Sequence, residues 1–199
     1  MVYYSIKKMK IRLEQKWDYQ KVEKLVRDCF LDIYRPWCLE HYVLHQFRWK
    51  PEFVDELDFV MELDWEIIWQ SICIKAEIQC DDSSILPVLT LWPICISKKY
   101  QWQWYWQELL KFVFEKAEIL WYWAVLFEWD IWFYWKCGCT YASNYGIRYH
   151  GAPEWSDVSF FLCKELKKWY LHNITWVYQT PKWYFVDEKE VEEFDKKFI

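Results

Sequence analysis

Glycine is scarce in this sequence: the 199-residue chain has 3, where an average usage of about 7% would give roughly 14. Tryptophan, with 18, is in excess, so one residue type stands in for the other at many positions. Basic residues are short as well, with 25 Lys plus Arg against 30 Asp plus Glu and a formal charge of −5. That balance excludes a protein that binds nucleic acid by neutralising phosphates, which needs a clustered basic surface. Long apolar runs are also missing. The longest, Ile119 to Phe127, falls far short of the roughly 20 residues of a membrane-spanning helix, which excludes a membrane role of that kind. Lys7, Lys8 and Lys10 follow the first apolar residues instead of preceding them, and no small-residue cleavage site comes after; the chain is expected to be cytoplasmic. What is present is 54% hydrophobic residues, enough for one domain with a sizeable core.

Eight cysteines stand at 29, 38, 73, 80, 95, 137, 139 and 163. Cys29, Cys73, Cys95 and Cys163 fall inside apolar periodic segments, where a free thiol packs as a small hydrophobe. Cys137-Gly138-Cys139 has one intervening residue, whereas structural zinc sites favour two to four and a second ligand pair. Cys38, His41 and His45 share a helical face by spacing and could form a three-ligand set, although an ordinary helix face is the simpler reading. No disulfide framework and no metal are expected.

Periodicity organises the chain. Met9 to Glu14 alternates apolar and charged residues, the signature of a half-buried strand. Asp18 to Phe30 has Tyr19, Val22, Leu25, Val26 and Cys29 at helical spacing, with Asp18 as the cap. Leu39 to Arg48 and Pro51 to Glu56 suggest further helical turns. Asp58 to Leu63 and Glu66 to Ile78 form a hairpin around Asp64-Trp65, where Asp-Gly would be the expected pair. Leu86 to Ile96 is a strand that Pro87 and Pro93 must make irregular. Glu108 to Leu120 is an amphipathic helix, Tyr122 to Glu128 a buried strand and Ile131 to Lys136 a short helix; strand, helix and strand make a βαβ unit. Residues 139–148 and 158–164 read as two more strands, and Asp187 to Phe198 as a charged helix.

The most informative stretch runs from Leu91 through Gln101-Trp102-Gln103-Trp104-Tyr105-Trp106 to Leu110. It resembles the GNAT superfamily of N-acetyltransferases, in which a bulged strand leads into a Gln/Arg-x-x-Gly-x-Gly/Ala turn that opens a helix. In that turn exposed backbone N–H groups and the helix dipole hold the pyrophosphate of coenzyme A. Gln101 falls on the first position, and Trp104 and Trp106 fall on the two glycine positions. A second stretch, Glu128-Trp129-Asp130-Ile131-Trp132-Phe133-Tyr134-Trp135-Lys136-Cys137-Gly138-Cys139, is similar to the family's Gly-Asp/Asn-x-x-x-Tyr-x-x-x-Gly-Phe segment. Tyr134 and Gly138 keep that pattern; Trp129 and Cys139 depart from it.

The resemblance implies an α/β (α+β) fold: a mixed, mostly antiparallel central sheet flanked by helices, with the βαβ unit binding cofactor. It covers a domain over residues 1–166, followed by a C-terminal extension over 167–199. The implied reaction is transfer of the acetyl group of acetyl-CoA to a small-molecule or peptide amine, without metal. Tyr134 is the implied acid, and Glu128, at a strand end, is the candidate base. The backbone of Ile94, Cys95 and Ile96 would pair with the pantetheine arm, and residues 101–106 would hold the phosphates. Acceptor specificity would come from residues 30–56 and the C-terminal strands. The acceptor and the oligomeric state are left open.

An indole at 104 or 106 would fill the phosphate cradle, and a Cβ at positive φ is strained by about 1–2 kcal/mol. If half of the exchanges at 65, 104, 106, 121, 123, 129, 135, 155, 169, 176 and 183 need that geometry, the sum approaches a whole usual stability of roughly 5–15 kcal/mol. An altered, inactive version of the family's chain is the expectation. Two rivals remain. Trp102, Trp104 and Trp106 alternate with Gln103, Tyr105 and Gln107, and on a strand would form a stacking platform for sugars or single-stranded bases. Exposed Trp patches could otherwise drive association in a structural protein. A helix beginning near Trp106 favours the acetyltransferase frame, and an extended strand through 107 favours the platform.

Overall fold

The computed structural model describes residues 9–33, 37–101, 105–153, 155–172 and 176–198. In chain order these form β1 (Met9–Leu13), α1 (Tyr19–Phe30), α2 (Glu40–Phe47), β2 (Phe53–Leu63), β3 (Glu66–Cys80), β4 (Ile85–Ile96) and α3 (Tyr105–Ile119). There follow β5 (Ala124–Glu128), α4 (Ile131–Tyr134), β6 (Thr140–Tyr141), β7 (Ile147–Tyr149), β8 (Phe161–Glu165), β9 (Trp176–Tyr178) and α5 (Glu188–Asp195). The strands make one open mixed sheet, ordered β1-β2-β3-β4-β5-β8-β6, with β9 pairing both β3 and β7. Its pairs are antiparallel except β4 with β5 and β7 with β9. The expected mostly antiparallel sheet with a βαβ unit is therefore the observed one.

Alternation along the strands divides the core between the two faces. Phe59, Met61 and Leu63 of β2 pack with Leu109, Leu110, Val113 and Ala117 of α3. Val60, Ile72 and Ile74 point the other way, onto Val22 and Val26 of α1 and Val43, Leu44 and Phe47 of α2. The β2–β3 hairpin closes with φ of 50° at Asp64 and 73° at Trp65, two positive values in succession as in a type I′ turn.

Several local expectations are corrected. Pro51 to Glu56 is not helical: β2 begins at Phe53, and a register shift between Phe53 and Asp58 spaces the buried Val54 and Leu57 three apart, which imitates a helical period. Asp18 stands at the N-cap of α1, but its side chain does not cap; the carboxylate instead accepts from Arg12 at 2.6 and 3.0 Å and from the Gln15 N–H. The strand expected over 139–148 is broken by a 3-10 turn, Ala142–Tyr145, that ends on left-handed Gly146.

Residues Glu14, Glu23 and Arg48 form a buried charge cluster at the β1–β2 end of the sheet. Arg48 donates to both oxygens of Glu14 at 3.1 and 2.7 Å and to Glu23 at 2.5 Å, and its guanidinium lies 3.9 Å over the Tyr19 ring. Asp58, buried beside them, has one carboxylate oxygen with no partner. Burial first, and then the charge of Glu14, holds the Asp58 carboxyl well above the usual carboxylate range.

Candidate functional site

The sheet opens at its centre. Strands β4 and β5 pair only through Leu89 with Val125 and Thr90 with Leu126, so beyond those two rungs the strands separate. The cause is local: the β3–β4 register shifts between Ser71 and Cys73, opposite the Trp92-Pro93 segment of β4, because proline cannot continue a ladder. The irregularity expected of this strand is thus placed at the opening. Two cavities adjoin it, and both are lined by Trp129 and Phe133.

The narrower cavity, of about 280 Å³, is lined by Ile94, Cys95, Ile96, Gln101, Trp106 and Tyr134 among others. These are six of the residues singled out in the sequence, and the fold brings them together. The cavity lies along the part of β4 that β5 leaves unpaired. Gln101, exposed at the cavity rim, donates to the Ile96 carbonyl at 3.4 Å. Cys95 is a core thiol: burial, with Cys29 beside it, pushes its pKa well up, so it is protonated and no nucleophile. Tyr134 is buried, with its ring 4.7 Å from that of Phe127 and 6.2 Å from that of Trp106.

Of the expected phosphate turn, Trp102, Gln103 and Trp104 lie outside the described residues, and of Tyr105 only the backbone is described. Helix α3 begins at Tyr105, which places residues 105–107 on a helix. The stacking platform needed an extended strand through 107, and that geometry is absent. Trp106 is accordingly helical and not among the residues at positive φ; its indole acts through bulk, standing against Phe133 and Tyr134 at the cavity wall.

The wider cavity, of about 770 Å³, holds Glu128, the candidate base. Glu128 sits at the C-terminal end of β5, where the splay leaves it facing the opening. It accepts a hydrogen bond from the Tyr149 hydroxyl at 2.8 Å, and Thr180 Oγ1 lies 2.7 Å from the same phenol oxygen. Glu128 keeps part of its surface exposed; the partial burial of its carboxyl raises its pKa, and the hydrogen bond from Tyr149 opposes the rise. The Tyr149 pKa is itself pushed up to about 12, first by burial, so the phenol remains a donor at neutral pH.

Sequence reasoning missed Tyr149 and Thr180, and it left the extension without a role. Tyr178, Thr180, Tyr184 and Phe185 of that extension line the wider cavity, and β9 carries them there by pairing with β3 and β7. The aromatic cluster from Tyr178 to Phe185, set in an otherwise charged tail, was the available signal.

The Cys38, His41 and His45 set does not converge. Cys38 Sγ lies 3.2 Å from Glu40, His45 Nδ1 lies 2.9 Å from Glu23, and His41 Nε2 lies 3.1 Å from Asp195. The eight cysteines are all free and buried. Among the described residues no cluster of potential metal ligands is found, and no helix is long and apolar enough to cross a membrane.

Three of the suspected exchanges stand in glycine geometry. Trp65, Trp121 and Trp169 have φ of 73°, 67° and 73°, beside 74°, 73° and 76° at Gly138, Gly146 and Gly151. Trp121 follows α3, where the Tyr122 N–H donates to the Ala117 carbonyl and the Trp121 N–H to Glu118; this is the Schellman arrangement, which favours glycine at that point. Among the described residues fewer than half of the eleven positions have such geometry. The three that do imply about 3–6 kcal/mol of strain in all.

No family model matches the sequence, and no curated protein matches it. Among solved structures, the chain is similar to a GNAT family N-acetyltransferase, YhbS, from Escherichia coli in complex with CoA. The TM-score is 0.76 at 18% identity, covering 92% of this chain and 96% of that one. A GNAT family acetyltransferase from Brucella melitensis in complex with acetyl-CoA matches with a TM-score of 0.62 at 13% identity, over 79% of this chain and 88% of that one. The ribosomal-protein-S18-alanine N-acetyltransferase from Escherichia coli matches with a TM-score of 0.55 at 14% identity, over 80% and 94%. The chain has the GNAT acetyltransferase fold.

Proposed function

We propose that this fold serves acetyl-CoA-dependent N-acetylation of an amine, and that Trp104, Trp106 and Trp129 disable it in the present sequence. The observation that carries the reading is the β4–β5 splay with two cavities beside it, one lined by Ile94, Cys95 and Ile96 and the other by Glu128. Bound acetyl-CoA would supply the thioester as acetyl donor. Ile94, Cys95 and Ile96 would hold its arm against β4, and the N-terminus of α3 with residues 101–106 would face its phosphates.

The chain's own groups supply the proton handling. Glu128, with its raised pKa, accepts a proton from the incoming ammonium, either directly or through water, and Tyr149 and Thr180 orient it. Tyr134, at the arm cavity, would donate its phenolic proton to the departing sulfur. Residues 167–199 complete the acceptor side, although the resemblance places the domain proper within 1–166. The compartment we propose is the cytoplasm.

Inactivity has a steric basis in this reading. Trp129 and Phe133 line both cavities, and the family pattern has glycine at 129. The Trp129 indole stands where donor and amine would meet, as Trp106 stands at the arm. The test is thiol release from acetyl-CoA in the presence of a primary amine, comparing the chain as it is with a Trp104→Gly/Trp106→Gly/Trp129→Gly variant. Amine-dependent release by the variant alone supports the proposal. A cooperatively folded variant that releases no thiol overturns it.

A further inference from the structure

We infer that the acceptor is an ammonium carried on an aromatic or similarly flat apolar body with no acidic group, an inference that rests on the acetyltransferase reading of the same site. The wider cavity is walled by aromatic rings. Trp92 and Tyr184 lie with ring centroids 4.7 Å apart, and Tyr149 and Phe160 lie 5.3 Å apart. Its charged lining residues are Glu40, Glu128 and Asp130, with no Lys, Arg or His among the described lining residues. None of these three carboxylates forms an ion pair with a described residue. Glu40 accepts from Cys38 and the Leu39 N–H, and Asp130 caps the Trp132 N–H; Glu128 accepts only from hydroxyls.

Rings and negative charge without an ion-pair partner in one concave site select a cation, because ring faces attract an ammonium and the carboxylates at the cavity add to that attraction. The same charges repel an acceptor that bears a carboxylate or phosphate. A slim polyamine would leave the aromatic walls uncovered in a space of about 770 Å³, a volume in the usual range for a compact small molecule.

Calorimetric titration of the chain as it exists tests this without catalysis. The probes are 2-phenylethylamine, 1,4-diaminobutane and 3-phenylpropanoate. The expected result is saturable binding of 2-phenylethylamine at least tenfold tighter than of 1,4-diaminobutane, none of 3-phenylpropanoate, and at least a tenfold loss in a folded Glu128→Gln variant. Equal binding of both amines, binding of the anion, or an unchanged affinity in Glu128→Gln would overturn it. If the aromatic amine binds but the glycine-restored variant takes up no acetyl-CoA, the acceptor class stands and acetyl transfer falls. If acetyl-CoA binds and the aromatic amine does not, the reverse holds.

A separate observation carries a second inference: the chain made in its host has glycine at 65, 121 and 169. These tryptophans share the backbone angles of the three glycines and are 82%, 79% and 62% exposed. They occupy a hairpin turn, a helix C-terminus and a tight turn in which Tyr170 N–H donates to the Lys167 carbonyl, sites that favour glycine. A codon read as glycine by the host and as tryptophan in this sequence accounts for one residue type being exchanged at scattered positions. Peptide mass spectrometry of the natively produced protein is expected to find glycine at all three. Tryptophan there would overturn the inference.

Discussion

The Tyr149 hydroxyl donates to Glu128 Oε1 across 2.8 Å, joining a residue of β7 to the free end of β5. This bond joins residues far apart in the sequence and holds the carboxylate at the wider cavity. Because the bond favours the ionised carboxylate and burial opposes it, the two together set where Glu128 gives up its proton.

Activity of the glycine-restored variant is therefore expected to rise with pH along a limb above the ordinary carboxylate range. Glu128→Gln should abolish that limb and cost about 10²–10⁴-fold in kcat/KM. Tyr149→Phe, which removes a bond that favours the ionised form, should move the limb to higher pH. A profile indifferent to both substitutions would remove Glu128 from the proton path.

Glycine at 65, 121 and 169 should stabilise the chain. Relief of left-handed strain, about 1–2 kcal/mol per site, is offset in part by the greater freedom of glycine in the unfolded chain, leaving about 1 kcal/mol each. For a domain of this size that is a rise of roughly 2–4 °C per site in a thermal melt. Trp135→Gly is the control, because Trp135 is 53% exposed but has a φ of −58°; it should gain nothing. Equal effects at 135 and at the three sites would refute the strain argument.

Asp58→Asn should stabilise the protein at neutral pH. The Asp58 pKa is raised in the folded state, so as pH rises through the ordinary carboxylate range the unfolded chain ionises while the folded one resists. Stability is lost in that window. Urea melts of the two proteins should nearly coincide at about pH 3, where the carboxyl is protonated in both states. As pH increases they should diverge in favour of the Asp58→Asn variant, whose amide has no charge to gain on unfolding. A difference independent of pH would show that Asp58 ionises freely.

His41 acts in the opposite direction. It is fully buried between α2 and α5, with the rings of Phe194 and Phe198 5.3 and 5.4 Å away, and burial lowers its pKa to about 4 against the attraction of Asp195. Between about pH 6.5 and pH 4 the unfolded chain takes up a proton that the folded one refuses, so stability should fall as pH drops through that window. Hydrogen exchange should show α5 losing protection there first, and His41→Phe should remove that part of the acid sensitivity.

Where burial follows sequence period, the fold was legible. The βαβ unit was marked by Leu109, Leu110, Val113 and Ala117 meeting one face of the sheet, and the hairpin by Asp64 at its turn. Where a bulge changes the period, as between Phe53 and Asp58, the spacing misled. In the candidate site, Tyr134 and the 94–96 backbone were singled out because a motif resemblance fixes them locally, and Glu128 because it ends an expected strand. Tyr149, Thr180 and Tyr184 escaped because only long-range pairing of β9 brings them to the cavity, and such pairing leaves no mark in local spacing.

The most direct test of the account is calorimetric titration of acetyl-CoA into the Trp104→Gly/Trp106→Gly/Trp129→Gly variant alongside the unaltered chain. The account predicts saturable binding to the variant, at least 100-fold tighter than to the unaltered chain. At a ligand concentration of 100 times Kd, the variant should also gain about 2.7 kcal/mol of stability. A cooperatively folded variant that binds no acetyl-CoA, or equal binding by both chains, would contradict it.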